Sequence, residues 1–179
     1  SVVVAVYNWQ LKDNGGDYAI GAYGIISTVV NFVTAIVLGL SQGMQPIVGY
    51  NFGAKLQQRV WRTLWITIWI GSAITSLGFL CMWLFPLQIA HCFTTDARMV
   101  NLIREGMMLY TIMFPLIGFQ IVVSNFFQSI GKPKISIFLS LSRQLLFLVP
   151  AVCILPYFFS IHGIWYAMPV ADAFSTVLT

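Results

Sequence analysis

Long apolar stretches separated by short polar loops constrain this chain more than any other feature. A helix needs about 20 apolar residues to cross the bilayer core, and four stretches are long enough: residues 18–50, 63–85, 106–129 and 135–158. Residues 1–9 and 164–179 resemble truncated parts of two further spans. Charged residues make up only 8% of the sequence, whereas soluble domains carry about a quarter. The sequence therefore predicts an all-α integral membrane protein that forms a single partial membrane lobe.

The distribution of lysine and arginine predicts the orientation of the spans. Short cytoplasmic loops carry an excess of these residues, and segments 51–62 and 130–134 hold Lys55, Arg59, Arg62, Lys132 and Lys134. The loops on the other side, the first of which is the polar stretch 10–17, mix basic with acidic residues. We therefore expect 51–62 and 130–134 to be cytoplasmic in a multi-pass protein of the cell membrane, inner or plasma. The basic residues are too few and too scattered to predict a nucleic-acid partner.

Pro46 lies in a glycine-rich stretch, SQGMQPIVGYNFGAK, that follows the first long apolar run. Proline lacks a backbone donor and clashes with the preceding turn, which predicts a kink or a break in the helix at Pro46. A broken helix is tolerated in hydrocarbon only where it is buried in protein or lines a wet cavity. Gln42 and Gln45 flank this position, and the pattern favours a transporter over a simple anchor.

Polar side chains form a stripe on each of two predicted spans. At about 100° per residue, one face of the first full span carries Ser27, Asn31, Thr34, Gln42 and Gln45. On the third span, Gln120, Ser124 and Gln128 recur every four residues. Polar groups that face lipid are costly, so both stripes should face protein or water. They either form hydrogen bonds between helices or line a substrate path, and the sequence leaves both interpretations open.

Arg143 and Asp172 are charged residues within predicted spans. Each lies about nine residues from a turn on opposite sides of the membrane, a depth of about 14 Å at 1.5 Å per residue. Consecutive antiparallel helices would bring the two side chains together near the midplane, so we predict an ion pair. An unpaired charge at that depth costs at least about 2.5–3.5 kcal/mol. The pair has either a transport role or a structural role in fixing two helices.

No motif indicates an enzyme, a metal site or a cofactor. Cys81, Cys92 and Cys153 lack metal-ligand spacing, and His91 and His162 lie near the predicted boundaries of spans. The HExxH and GxSxG signatures do not occur. We therefore predict a protein that is not an enzyme and has no metal or cofactor.

Several motifs occur in the order found in one transporter family. They are GAYGIIS (21–27), QGMQPIVGYNFGAK (42–55), RV (59–60), FPLIGFQIVVSNFFQSIGKPK (114–134), LSRQ (141–144) and PVADAFSTVLT (169–179). Together they resemble the C-terminal half of a multidrug and toxic compound extrusion (MATE) transporter, in particular its MepA-like branch. The resemblance implies a partial C-terminal six-helix lobe of a twelve-helix transporter. The N-terminal lobe of the same protein and the lipid bilayer would be its partners.

The resemblance also implies secondary active multidrug efflux, the export of organic cations and drugs in antiport with Na+ or H+. Both polar stripes would then face the cavity of this lobe. Some branches of the family carry acidic coupling residues in the seventh and tenth helices, but 106–129 contains no acid, so no coupling-ion site is assigned. Two alternatives stay open, a lipid-linked saccharide flippase of a related superfamily and a narrow-specificity metabolite exporter.

Overall fold

Helices make up nearly all of the chain. The computed structural model describes the backbone of residues 2–179, and the side chains of these residues except 2–4, 14 and 161. The helices are α1 (Val2–Gly53), α2 (Gln57–Leu84), α3 (Pro86–His91), α4 (Ala97–Tyr110), α5 (Phe114–Ser129), α6 (Pro133–Leu141), a π-helical segment (Ser142–Leu148), α7 (Val149–Phe159) and α8 (Ile161–Leu178). Residues 2–179 contain no β-strand, as the all-α prediction requires.

The helix lengths suit a membrane protein. Within residues 2–179, three helical segments are long and apolar enough to cross a bilayer: Gly15–Gly53, Gln57–Leu84 and Pro133–Phe159. The bent pair of α4 and α5 passes the same test as a fourth. These segments contain or overlap the four full spans that hydropathy predicts. Many large apolar side chains face outward, with Trp69 73% exposed and Tyr157 85% exposed, an arrangement that favours contact with hydrocarbon over contact with water.

Two predictions about α1 are wrong. The polar stretch 10–17, expected to be a loop, is helical except at Gly16, whose φ of +66° and ψ of −160° interrupt the helix. The helix break expected at Pro46 does not occur, and α1 continues with helical geometry to Gly53. Proline at 46 removes one hydrogen bond to the carbonyl of Gln42, four residues earlier. Membrane helices tolerate such a loss when neighbouring groups compensate for it.

Replacing Gly16 by alanine should destabilise the protein by about 1–3 kcal/mol, because the φ and ψ angles of Gly16 lie in a region that is essentially restricted to glycine. The comparison is Gly24→Ala, since both glycines have open space where a Cβ would stand but Gly24 lies in regular helix. Alanine at 24 should leave stability unchanged or raise it slightly. Thermal unfolding midpoints of the two variants in detergent test this prediction, and equal midpoints would contradict it.

The third predicted span, 106–129, is two helices rather than one. α4 and α5 meet at an angle of 56°, with Thr111–Met113 between them. Pro115 lies in the first turn of α5. Because proline has no N–H, the carbonyl of Thr111 would lack its usual hydrogen bond if the helix were continuous. Asp96 caps the start of α4, because its Oδ1 accepts hydrogen bonds from the backbone N–H groups of Arg98 (2.8 Å) and Met99 (3.3 Å).

The buried side chains form two clusters. One lies among α1, α4, α5, α7 and α8 around Trp165, Tyr7 and Phe114, and the other joins α1, α2 and α5 around Val37 and Val122. The crossing of α2 and α5 is very close at Gly71 and Gly118. A Cβ on Gly118 would lie 2.6 Å from the carbonyl oxygen of Gly71, so this crossing requires glycine.

Candidate substrate cavity

A cavity of about 560 Å³ lies between α1, α4, α5, the π-helical segment and α8. Its volume falls in the range of pockets that hold drug-sized ligands. Apolar side chains such as Val30, Ile117 and Met168 form part of the wall, and polar groups from the first stripe form another part. The polar and aromatic lining includes Tyr7, Tyr23, Ser27, Asn31, Thr34, Tyr110, Arg143 and Gln144.

A smaller cavity of about 150 Å³ adjoins the first and is lined by two residues of the second stripe. Gln120, Ser124 and Asn125 contribute to its wall from α5, and Ser140 contributes from α6. The two cavities share four lining residues: Leu38, Ile121, Arg143 and Gln144. The two cavities therefore adjoin at these residues, and Arg143 borders both.

The structure brings four of the seven predicted lining residues to these cavities. Asn31 and Thr34 line the larger one, and Gln120 and Ser124 line the smaller one. The hydroxyl of Thr34 donates to the carbonyl of Val30 at 2.9 Å, so this polar group is held by its own helix. Gln42, Gln45 and Gln128 line neither of the two cavities.

Gln45 and Gln128 take part in hydrogen bonds between helices instead. Gln45 Nε2 donates to Asn125 Oδ1 at 3.1 Å and lies 3.4 Å from Gln128 Oε1, joining α1 to α5. Gln42 is exposed. The residues of the first stripe therefore lie in two environments. Those in its N-terminal part border the larger cavity, and those in its C-terminal part contact α5 or are exposed.

Gln120 and Ser124 combine a cavity position with hydrogen bonds between helices. Gln120 Nε2 donates to the backbone carbonyl of Asp172 at 2.9 Å and to Thr176 Oγ1 at 2.6 Å. Ser124 Oγ lies 3.0 Å from Ser136 Oγ and 3.2 Å from Ser140 Oγ. Within residues 2–179, the buried Gln120 Oε1 has no hydrogen-bond partner. Hydrogen bonding between helices thus accounts for part of both stripes, and their role in lining a substrate path stays a prediction.

Arg143 and Asp172 form an ion pair. Arg143 Nε donates to Asp172 Oδ1 at 2.8 Å, joining the π-helical segment to α8. The two side chains differ in exposure, since Arg143 is 23% exposed and Asp172 only 1%. Arg143 borders both cavities, whereas Asp172 borders neither. Whether the pair has a transport role or a structural role stays a prediction.

Two features of the site escaped the sequence analysis. The first is an aromatic wall: the rings of Tyr7 and Tyr23 stack with centroids 4.8 Å apart, and Tyr110 meets Tyr23 edge-on at 6.2 Å. These tyrosines come from separate parts of the chain, so no local spacing relates them. The second is the π-helical segment at Ser142–Leu148. Such segments occur often at functional sites, but LSRQ has no period that distinguishes it from ordinary α-helix.

The described side chains provide no obvious metal centre. No group of three or more histidine, cysteine, aspartate or glutamate residues comes together in this part of the chain. The chemistry that the two cavities offer consists of aromatic faces, amide and hydroxyl groups, and one guanidinium group.

Comparison with known proteins identifies the family. The family model described as MatE matches residues 3–153. Multidrug export protein MepA of Staphylococcus haemolyticus is 23% identical over 157 residues, which are 88% of this chain and 34% of that protein. The FAD transporter of Shewanella oneidensis is 20% identical over 154 residues, 86% of this chain and 34% of that protein. The chain thus spans about a third of the length of these relatives.

A solved structure agrees with the assignment. The MATE multidrug transporter DinF-BH is 38% identical in sequence, with a TM-score of 0.82 over 94% of this chain and 38% of that one. The sequence motifs, the helical architecture and the family model agree. The chain therefore belongs to the MatE family and has the fold of a partial lobe of a MATE multidrug transporter.

Proposed function

We propose that this chain is the C-terminal lobe of a secondary active exporter, which expels organic cations and drugs in antiport with Na+ or H+. The observation that carries the proposal is the cavity of about 560 Å³, which combines a tyrosine wall with amide and hydroxyl groups. Pockets for diverse drug-sized molecules are typically apolar and aromatic, with a few polar groups for orientation. The family and the name of its MepA relative support the same activity.

The proposal includes a position in the membrane and a partner. We expect the protein to cross the cell membrane with 51–62 and 130–134 on the cytoplasmic side, since these segments carry most of the basic residues. An N-terminal lobe of the same protein would supply the opposite wall of the cavity. The coupling ion is Na+ or H+. In the described part of the chain no acidic side chain lines either cavity, and no coupling site is assigned to this chain.

Efflux of a fluorescent cation tests this function. Cells that express the full-length protein are loaded with ethidium, and a Na+ gradient or a pH gradient is then imposed separately. We expect one gradient to accelerate efflux above that of cells carrying an empty vector, and an ionophore that collapses this gradient should abolish the acceleration. The effective gradient names the coupling ion.

If the protein is correctly inserted and neither gradient moves any of a panel of organic cations, multidrug efflux is the wrong function. A second candidate is then a narrow-specificity metabolite exporter, which the relative named as an FAD transporter favours. Gradient-driven export of a flavin nucleotide would support that candidate, and movement of a lipid-linked sugar would support the flippase.

A further inference from the structure

The charge that borders the cavity is positive. Among the residues that the structure describes, Arg143 is the one charged side chain that lines either cavity. Its partner Asp172 is 1% exposed and lines neither. The carboxylate of Asp172 therefore balances the charge of Arg143 from a position outside the cavities. A ligand in the cavity contacts the guanidinium group and not the carboxylate.

Most of the hydrogen-bonding capacity of Arg143 is unused. A guanidinium group has five N–H donors, and the structure assigns one of them, the Nε–H that donates to Asp172 Oδ1 at 2.8 Å. Neither Nη atom has a hydrogen-bond partner within residues 2–179. Because Nε is fixed by the carboxylate, the group keeps a defined position while its outer donors stay available. Arginine in this arrangement suits planar acceptors such as carboxylate and phosphate.

The position of Asp172 is itself secured. Gln120 Nε2 donates to the backbone carbonyl of Asp172 at 2.9 Å, and Thr176 Oγ1 donates to the same carbonyl at 2.7 Å. These bonds join α5 and α8 at the level of the ion pair. The backbone at Asp172 is thus held by two side chains, and its carboxylate is 1% exposed and bonded to Arg143 Nε. A guanidinium group positioned in this way loses less conformational freedom when a ligand binds.

The same cavity has an aromatic wall. Tyr7, Tyr23 and Tyr110 line it together with Arg143. Tyr7 and Tyr110 are nearly fully buried and hold the half-buried ring of Tyr23, which offers the accessible aromatic surface. Aromatic side chains bury large apolar areas and stack on ligand rings. The cavity therefore combines a surface for an aromatic ring with donors for an acidic group.

We propose that this cavity binds aromatic compounds that bear an acidic group, with the acid on Arg143 and the ring against the tyrosine wall. The inference rests on the proposed export function and narrows its substrate class, because zwitterionic or acidic aromatic molecules should bind better than purely cationic ones of the same shape. The buried Asp172 balances the charge of Arg143. The acidic group of the ligand accepts hydrogen bonds from the Nη groups of Arg143.

A matched pair of dyes tests this preference. Rhodamine 110 carries a free carboxylate, and rhodamine 123 is its methyl ester with the same ring system. Binding to the purified full-length protein is measured by fluorescence anisotropy, which does not depend on transport. We expect rhodamine 110 to bind at least about tenfold more tightly than rhodamine 123, since a hydrogen bond to a charged group provides that much discrimination.

The variants assign the preference to Arg143. The neutral double variant Arg143→Gln/Asp172→Asn should bring the affinity ratio close to one, and Arg143→Lys should keep part of the preference because it keeps the charge. The control is Arg62→Gln, an exposed arginine that lines neither cavity, and it should retain the full ratio. Equal affinities in the parent protein, binding of neither dye, or a preference that survives in the double variant would overturn the inference.

The outcome separates the two proposals. If the dye preference depends on Arg143 but no ion gradient drives efflux, the site holds and the export function fails. If gradient-driven efflux of ethidium occurs without any preference for the acid dye, the export function holds and the acidic-substrate site fails.

Discussion

Replacing Arg143 by glutamine is expected to destabilise the protein by about 3–5 kcal/mol, the usual cost of removing one partner from a buried ion pair. The reason is the burial of the other partner: Asp172 is 1% exposed, and its carboxyl group would be left with neither a counter-ion nor water to stabilise it. We expect a large fall in the thermal unfolding midpoint in detergent and a low yield of protein in the membrane.

The reciprocal change should be milder. Asp172→Asn leaves Arg143 charged, but Arg143 is 23% exposed and borders two cavities, so water can solvate it. The asparagine oxygen can still accept from Nε, and we expect a loss of about 1–2 kcal/mol. The double variant Arg143→Gln/Asp172→Asn carries no charge and should be more stable than Arg143→Gln alone.

The order of these variants decides between the two roles of the pair. Unfolding midpoints should rank Arg143→Gln lowest, and equal losses in the two single variants would contradict the asymmetry that the exposures imply. If Asp172→Asn is made in normal amounts but no longer transports, the pair has a transport role. If Asp172→Asn lowers the transport rate only in proportion to the amount of folded protein, the pair has a structural role.

Gly118→Val is expected to disrupt the packing of α2 against α5 and to cost about 3 kcal/mol or more. The ideal Cβ position on Gly118 lies 2.6 Å from the carbonyl oxygen and 2.7 Å from the carbonyl carbon of Gly71, and 2.8 Å from Thr75 Oγ1. Backbone atoms cannot move aside as a flexible side chain can, so the helices must separate. Overpacking alone typically costs about 1–3 kcal/mol, and here the separation also breaks the hydrogen bond of 3.1 Å from Thr75 Oγ1 to the carbonyl of Pro115.

The matched control is Gly43→Val, because a Cβ on Gly43 meets no atom within 4 Å and the residue is an exposed position of α1. Valine there should cost little. Size-exclusion profiles and unfolding midpoints of the two purified variants provide the comparison. A Gly118→Val protein that is as monodisperse and as stable as the Gly43→Val protein would show that α2 and α5 have room to move apart.

The proline positions show where sequence reasoning succeeds and where it fails. Pro46 and Pro115 carry the same local signal, a missing donor inside an apolar run. The chain stays helical through Pro46 but bends by 56° before Pro115. In the second case Thr111 Oγ1 bonds the carbonyl of Met107 at 2.8 Å and the Phe114 N–H bonds the carbonyl of Thr111 at 2.9 Å, so the turn has its own partners. Such compensation depends on the surrounding groups, which a single proline does not reveal.

The predicted lining residues lead to a similar conclusion. Helical periodicity places Asn31, Thr34 and Gln45 on one face correctly, because a regular helix turns by a fixed angle per residue. It does not indicate that Asn31 borders a cavity while Gln45 bonds to Asn125. That difference depends on how far α5 lies from α1 at each level of the lobe.

By itself the sequence determined the class of protein, the position of the long apolar segments and the meeting of Arg143 with Asp172. These follow from the length of apolar runs and from the fixed rise of a helix, which are local quantities. The tertiary structure alone decided the tyrosine wall, the crossing of Gly118 over Gly71, and the exposure of Arg143 in front of a buried Asp172. Each of these depends on distances between helices that are far apart in sequence, and side-chain packing over the whole lobe sets those distances.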